Sequence, residues 1–375
     1  MLVSASLMNL KTLLLSSDDK TIRVLRRVLS DLEIGVEHFS VSDDVIRRIT
    51  RQRFEAIIVD CSDPEDAGNV LRAAKAAPVN KRALSVVLVD SQLGLKGGFD
   101  MGAHFVLHKP LAVERAKSSF RAVRALMKSE RRLQLRIPVQ IPVACFGSAR
   151  YQAKTLDICE GGMALKFTGR KSRESVIRFS FQLPGLDHQF EVWGEMAWEA
   201  NADQAGVRFK DLAPDQRTVL RKWLDSQLAE PVPDDPPVVC RLTDLSAAGL
   251  YLKTSSPFPV STRVILSIGP SSPADRAVGI VRISHPEFGM GVEFLQSTAD
   301  QQQHVGRLIE VLRANGESLD LFVEPNGLET VSPEELTASA AAEDALVNLF
   351  HLQAHLPVDA FLEQMQQHRQ LLDSR

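Results

Sequence analysis

The densest chemistry in this sequence is the run Arg131-Arg132-Leu-Gln-Leu-Arg136, followed downstream by Asp157-Ile-Cys-Glu-Gly-Gly162. Guanidinium forks grip phosphate oxygens in pairs and stack on flat aromatic faces. A carboxylate accepts from ring and amino N–H donors, while Gly161 and Gly162 allow close backbone approach and positive φ. Arg131, Arg132, Arg136 and Asp157 together therefore suit a ligand that carries both phosphate and purine. For the arginines alone, the competing explanation is the cationic end of a helix, where positive charge complements the macrodipole. A second constellation joins Asp60, at the end of Phe54-Glu-Ala-Ile-Ile-Val-Asp60, with Lys109 of Val106-Leu-His-Lys109-Pro110. Asp18 lies after the first apolar run and is the remaining carboxylate of interest.

These residues need elements to hold them. The chain has 375 residues, too long for one ordinary core, so two or three domains are expected. Its 44% hydrophobic and 24% charged residues describe a folded protein, and the net charge of -3 gives no global attraction to nucleic acid. From Lys11 to about Met127, short apolar runs alternate with helix-period segments, the pattern of a parallel sheet wrapped by helices. The strands are expected at Thr12–Leu15, Ala56–Val59, Ser85–Val89 and Phe105–Leu107, with a helix over Thr21–Leu32 capped by Asp18 or Asp19 and a last helix over Val113–Met127. After Arg136 the pattern turns to strands, including Phe190–Trp198 and Gly206–Phe209, with a helix from Pro214 to Leu228. This predicts a small β-barrel closed by a helix.

The barrel pattern occurs twice. Asp157-Ile-Cys-Glu-Gly-Gly162 is echoed by Asp244-Leu-Ser-Ala-Ala-Gly249, and Gly206-Val-Arg-Phe209 by Gly291-Val-Glu-Phe294, with a period of roughly 86 residues. The expected organisation is an α/β domain over 9–128, a first barrel over 129–229, and a stiff linker over 230–238 with Pro231, Pro233, Asp234, Asp235, Pro236 and Pro237. A second barrel follows over 239–316, then a helical tail over 317–375. In that tail Ser332 would cap a helix opening with Pro333, Glu334 and Glu335, and Pro357 precedes an amphipathic segment with Phe361, Leu362 and Met365.

The RxxxR run, the DxCxGG element and the GVRF strand resemble the PilZ domain, a family of cyclic di-GMP receptors on a small β-barrel. The resemblance implies that Arg131, Arg132, Arg136, Asp157, Cys159 and Gly162 bind cyclic di-GMP, with Cys159 in place of the family's serine. A thiol is a weaker donor and acceptor than that hydroxyl. The second module keeps Asp244, Ser246 and Gly249 but has acidic, proline-rich sequence in place of the arginines, which implies a packing or partner-binding role. The N-terminal domain resembles a response-regulator receiver, in which Asp60 would be the phosphoacceptor and Lys109 its phosphate contact. Ser17 then replaces one of the two Mg²⁺-binding acids and Asp18 supplies the other. Asp90 replaces a hydroxyl residue and Val106 an aromatic one, so a pseudo-receiver is implied, with Mg²⁺ bound only if the domain is active.

No catalytic residue, resident cofactor or metal site is expected. Gly289-Met-Gly291 is not a phosphate loop, and His351 with His355 lacks a third ligand. Motifs for making or degrading cyclic di-GMP are missing. Cys61, Cys145, Cys159 and Cys240 are too far apart for a metal or redox motif, which fits a reducing, cytoplasmic setting. Together these readings describe a cytoplasmic adaptor that binds cyclic di-GMP and reaches a protein partner through the second barrel or the C-terminal helices, without DNA or a membrane span. The alternatives are a ligand-independent scaffold and a phosphoacceptor response regulator.

Overall fold

A computed structural model describes residues 10–90, 94–147, 150–168, 175–201, 203–228, 235–269, 276–315, 319–329, 344–352 and 358–373. The chain divides into two compact units, one built on Arg131–Pro233 and the other combining Asn9–Glu130 with Asp234–Arg375. Sequence neighbours are therefore not packing neighbours: the N-terminal domain shares a unit with the second barrel.

The N-terminal part runs β1 (Lys11–Leu15), α1 (Asp19–Asp31), β2 (Gly35–Phe39), α2 (Ser42–Ile49), β3 (Ala56–Asp60), α3 (Pro64–Ala76), β4 (Leu84–Val89), α4 (Gly94–Asp100), β5 (Phe105–His108) and α5 (Val113–Gln134). Its five strands are parallel in the order β2-β1-β3-β4-β5, a doubly wound sheet with the receiver's strand order. The central strands β3 and β4 are buried at every residue, which is why they read as unbroken apolar runs. Edge strand β2, Gly-Val-Glu-His-Phe, has no fully buried residue and left no such signature. Asp18 caps α1 by accepting from Lys20 N at 3.1 Å and Thr21 N at 3.3 Å.

In the other unit β6 (Ile137–Pro138), β7 (Pro142–Phe146), β8 (Arg150–Cys159), β9 (Gly162–Phe167), β10 (Val176–Gln182), β11 (Gln189–Asn201) and β12 (Gln204–Asp211) form one antiparallel sheet. The β8–β9 pairing closes it into a barrel. Helix α6 (Pro214–Ser226) contributes Leu220, Trp223 and Leu224 to a core that includes Phe179, Phe181 and Phe190.

The second barrel contains β13 (Val238–Leu245), β14 (Gly249–Lys253), β15 (Thr262–Ser267), β16 (Ala277–His285), β17 (Gly289–Phe294) and β18 (Asp320–Leu328), closed in the order β13-β14-β17-β16-β15-β18, with α7 (Ala299–Asn315) before the last strand. The tail, expected to be helical from residue 317, thus opens with the strand that closes this barrel. Its helical part is α8 (Ala345–Leu352) and α9 (Val358–Asp373). The expected helix cap at Ser332 with Pro333, Glu334 and Glu335, the prolines at 231, 233 and 357, Asp234 and His355 lie outside the described residues.

Receiver-like sheet and second barrel share their cores. Ala122 and Ala125 of α5 belong to the barrel's apolar cluster, and Leu328 of β18 belongs to the sheet's. At the seam the buried Glu130 carboxylate accepts from Arg82 at 2.7 and 2.8 Å and from the Leu328 N–H. Arg124 and Lys128 reach Asp235 at 2.9 and 2.7 Å, so this linker acid is tied to α5. Val260 N donates to His104 O at 3.0 Å.

Two histidines in this unit, the half-buried His104 and the buried His285, contribute to its acid response. Burial, aided by nearby Lys75, pushes His104 down to about 4, and burial alone pushes His285 down to about 4. Each folded-state value lies below the unfolded value, so their stabilising contribution is complete above pH 6.5 and lost as pH falls toward 4. Urea unfolding at pH 5 is expected to show a stability lower than at pH 7 by roughly 2 kcal/mol per histidine. An unchanged midpoint would remove this assignment.

Candidate ligand-binding site

Helix α5 places the first arginines. Arg131 and Arg132 lie in its last turn, where cations suit the carbonyl end, so the helix-end placement holds for these two. The chain then leaves the helix, with Leu135 N bonded to Arg131 O at 2.9 Å, and β6 pairs Ile137 with Ile158 and Pro138 with Asp157. That pairing brings Arg136 against Asp157, whose carboxylate accepts from the Arg136 guanidinium at 2.6 Å. The two side chains are 41% and 28% exposed, so the pair is open to solvent and exchangeable. Burial opposes the Arg136 charge most strongly, but the Asp157 hydrogen bond and the neighbouring negative charge together outweigh it and raise the arginine above its ordinary value.

The turn after Asp157 is built from buried parts. Cys159 is 2% exposed, and the N–H groups of Gly161 and Gly162 point at its sulfur. Burial pushes its thiol up, despite the partly opposing Arg136 charge. The second barrel shows the same turn made with a hydroxyl: Ser246 Oγ accepts from Ala248 N at 3.3 Å and Gly249 N at 3.0 Å. At this position the side chain organises its own loop, so Cys159 is not presented to a ligand as a serine-like reader would be. Gly162 is required because a Cβ there would collide with the Val207 carbonyl oxygen of β12. Neither Gly161 nor Gly162 has positive φ, so close approach is the reason for glycine and the expected left-handed backbone is not. Glu160, unremarked in the sequence, is 3% exposed and faces Arg217 and Arg221 of α6 at 3.6 and 3.7 Å.

Strand register extends the site. Asp157 pairs with Ala164, Ala164 with Gly206 and Gly206 with Trp198, so these positions share the barrel's outer face while Ile158, Met163 and Val207 fill its interior. A Cβ on Gly206 would collide with the Trp198 indole, and that ring remains 42% exposed. The lone apolar-strand context of Trp198 gave no hint of this. Its clue would have been a tryptophan eight residues before a glycine across a hairpin.

The second constellation is dense but differently composed. Asp60 Oδ1 accepts from Lys109 Nζ at 2.6 Å and Oδ2 from Ser16 Oγ at 2.7 Å. Ser16, rather than Ser17 or Asp18, is the residue that reaches Asp60. Asp18 is held at the start of α1, where hydrogen bonds from Thr21 Oγ1 and the Lys20 and Thr21 N–H groups keep its carboxyl below the usual range. This donor set does not fit Mg²⁺: of the expected acid pair Ser17 replaces one member, and the other, Asp18, is committed to the α1 cap. Among the described residues no group of three or more His, Cys, Asp or Glu could hold a metal ion. His351 faces Glu293 at 3.4 Å.

The sequence profile of the PilZ domain matches residues 130–226 and 227–311. This chain carries two tandem PilZ domains. The match to the second PilZ domain ends before β18, its closing strand. Among solved structures, the chain is similar to the receiver domain of a sensor histidine kinase from Pseudomonas aeruginosa PAO1, at 22% identity and TM-score 0.28, covering 32% of this chain and 98% of that one. It is similar to a chemotaxis response regulator of Vibrio cholerae at 19% identity and TM-score 0.29, covering 31% and 99%. The PilZ domain of CeSA from a cellulose-synthesizing bacterium shows 19% identity and TM-score 0.21, covering 24% and 93%. Among curated proteins, no relative matches the chain. Among the described residues no helix is long and apolar enough to cross a membrane.

Because Ser16 and Lys109 occupy both Asp60 oxygens, exposure to acetyl phosphate and Mg²⁺ is expected to leave Asp60 unmodified. Intact mass spectrometry checks this, and stoichiometric addition of one phosphoryl group would overturn it.

Proposed function

We propose that this protein is a cyclic di-GMP-binding signalling adaptor, with the first PilZ domain as the receptor. The observation that carries the reading is the exchangeable Arg136–Asp157 pair on the outer face that also presents Trp198. Both partners match needs of a cyclic dinucleotide. The guanidinium fork suits a phosphate, and the carboxylate suits the N1 and amino donors of guanine. The flat Trp198 indole offers a stacking surface beside them. Without ligand, the two charges satisfy each other. An exposed pair of this kind is worth only about 0 to 1 kcal/mol, so exchanging it for ligand contacts worth about 1.5 to 3 kcal/mol each is favourable.

Arg131 and Arg132 would add phosphate contacts from the end of α5. Cys159 supports the reading indirectly, by holding the turn that carries Asp157. PilZ domains are binding modules, and we assign the chain no catalytic step. The four buried, free cysteines suit a reducing compartment. The Asp60 site serves packing in this reading, and a protein partner receives the output.

Calorimetric titration of the full chain with cyclic di-GMP tests the reading. One site is expected, weakened by several kcal/mol in Arg132→Ala/Arg136→Ala and abolished in Asp157→Ala. Cys159→Ser is expected to change affinity by less than tenfold, about 1.4 kcal/mol, because the side chain holds the loop and not the ligand. Unchanged binding in the arginine variant would show that the site is elsewhere.

Coupling follows from where the arginines stand in the chain. The division between the two units falls between Glu130 and Arg131, inside α5. In our reading, ligand contacts to Arg131, Arg132 and Arg136 change the path from the end of α5 into β6, a hinge reorientation in which receiver-like domain and second PilZ domain respond as one body. Distance labels in each unit and hydrogen exchange over 129–138 should both change on saturation. Labels placed within the receiver-like domain and the second barrel should keep their separation.

A further inference from the structure

The second PilZ domain repeats the register of the first. Asp244 pairs with Tyr251, Tyr251 with Gly291 and Gly291 with Ile283, as Asp157, Ala164, Gly206 and Trp198 do in the first domain. What covers this outer face is different. In the second domain α8 and α9 lie on it, with Val347, Phe350, Phe361 and Met365 each 2% exposed or less.

The fit is specific. Phe350 enters a notch left by two glycines: a Cβ on Gly291 would stand 2.7 Å from its ring, and one on Gly249 would stand 3.5 Å from it and 2.9 Å from Val347. Phe361 packs at a tilt against Tyr251 and His285, with ring centroids 5.4 and 4.8 Å apart. Polar contacts hold the edges. Asp344 caps α8 through Leu346 N and Val347 N, both at 3.1 Å, and also accepts from Ala248 N at 3.3 Å in the motif turn. His351 faces Glu293 of β17 at 3.4 Å.

Two features make this segment an occupant of the barrel instead of a part of it. The strands close their ring without either helix, and the apolar cluster under α8 and α9 is separate from the barrel's own core. The face also lacks the nucleotide chemistry of the first domain, since Asp244 has no arginine run before it and Tyr251 fills the place of Ala164.

We propose that this face of the second PilZ domain is a helix-binding site, and that residues 344–373 are its resident intramolecular ligand. The kind of partner it fits is an amphipathic helix with an acidic cap, an aromatic residue six positions later for the glycine notch, and a hydrogen-bond donor next to it for Glu293. The proposal stands independently of nucleotide binding by the first domain.

The test uses the full chain with a protease site inserted between Glu329 and Asp344. After cleavage the C-terminal fragment should stay bound, and an excess of labelled peptide 344–373 should exchange with it. The Phe350→Asp peptide should bind more weakly by on the order of a hundredfold or more. Hydrogen exchange in β14 and β17 reports whether the barrel stays folded. A fragment that never exchanges, or a barrel that unfolds when it leaves, would show the helices to be an integral part of the fold. A folded, emptied barrel that does not take up the peptide would equally overturn the proposal.

Discussion

The Glu130 carboxylate is the constraint on which the larger unit depends. It is buried, and its partners come from distant parts of the chain: Arg82 before β4 and the Leu328 N–H of β18. A charge removed from water to this degree is tolerable only when its hydrogen bonds are complete, and losing one partner of such a pair typically costs about 3 to 5 kcal/mol. The carboxylate therefore holds α5, β4 and β18 to a single arrangement. Around it the Ala122 and Ala125 methyls enter the second barrel's core, and small side chains let helix and barrel approach closely. The next residue, Arg131, already belongs to the other unit.

The two PilZ domains show one framework carrying two surfaces. Both place an aspartate, a small or aromatic residue, a glycine and a large apolar residue in register across four strands. Both organise the turn before the glycine through a sulfur or oxygen that accepts backbone N–H groups, buried in the first domain and half-buried in the second. The difference lies in what fills the notch: an exposed indole in the first domain, a phenylalanine from α8 in the second. Charge follows the same division. Arg136 faces Asp157 in the first domain, whereas in the second the Ala248 N–H of the turn donates to Asp344, the acid that caps α8.

The receiver-like domain holds Asp60 in a polar network of its own. Lys109 and Ser16 satisfy both oxygens of Asp60, and Asp18 is committed to capping α1. The domain's most evident role is the broad contact that α5 makes with the second barrel.

Much of this was legible in the residues themselves. Unbroken apolar runs located β3 and β4 because both faces of those strands are covered, and the repeated DxCxGG and DLSAAG elements announced two related barrels before any coordinate was known. Arg136 and Asp157 stood out as ligand contacts by charge and motif, and their pairing with each other came from the β6–β8 register. Other features depended on tertiary structure, because periodicity shows which face is apolar and is silent about what that face meets. Edge strand β2 has no buried run to betray it. Strand β18 reads as a tail residue by residue and becomes a strand only through pairing with β13 and β15. Whether Ser16 or Asp18 faces Asp60 is decided by the point at which β1 gives way to α1, since a shift of one residue turns a side chain to the opposite face. Cys159 looked like a ligand contact by its place in a motif, and the fold buried it because two backbone N–H groups needed an acceptor. The docking of α5 on the second barrel, and of α8 and α9 on its outer face, joins segments far apart in sequence. Those contacts are set by shape and desolvation at surfaces that exist only after each element has folded.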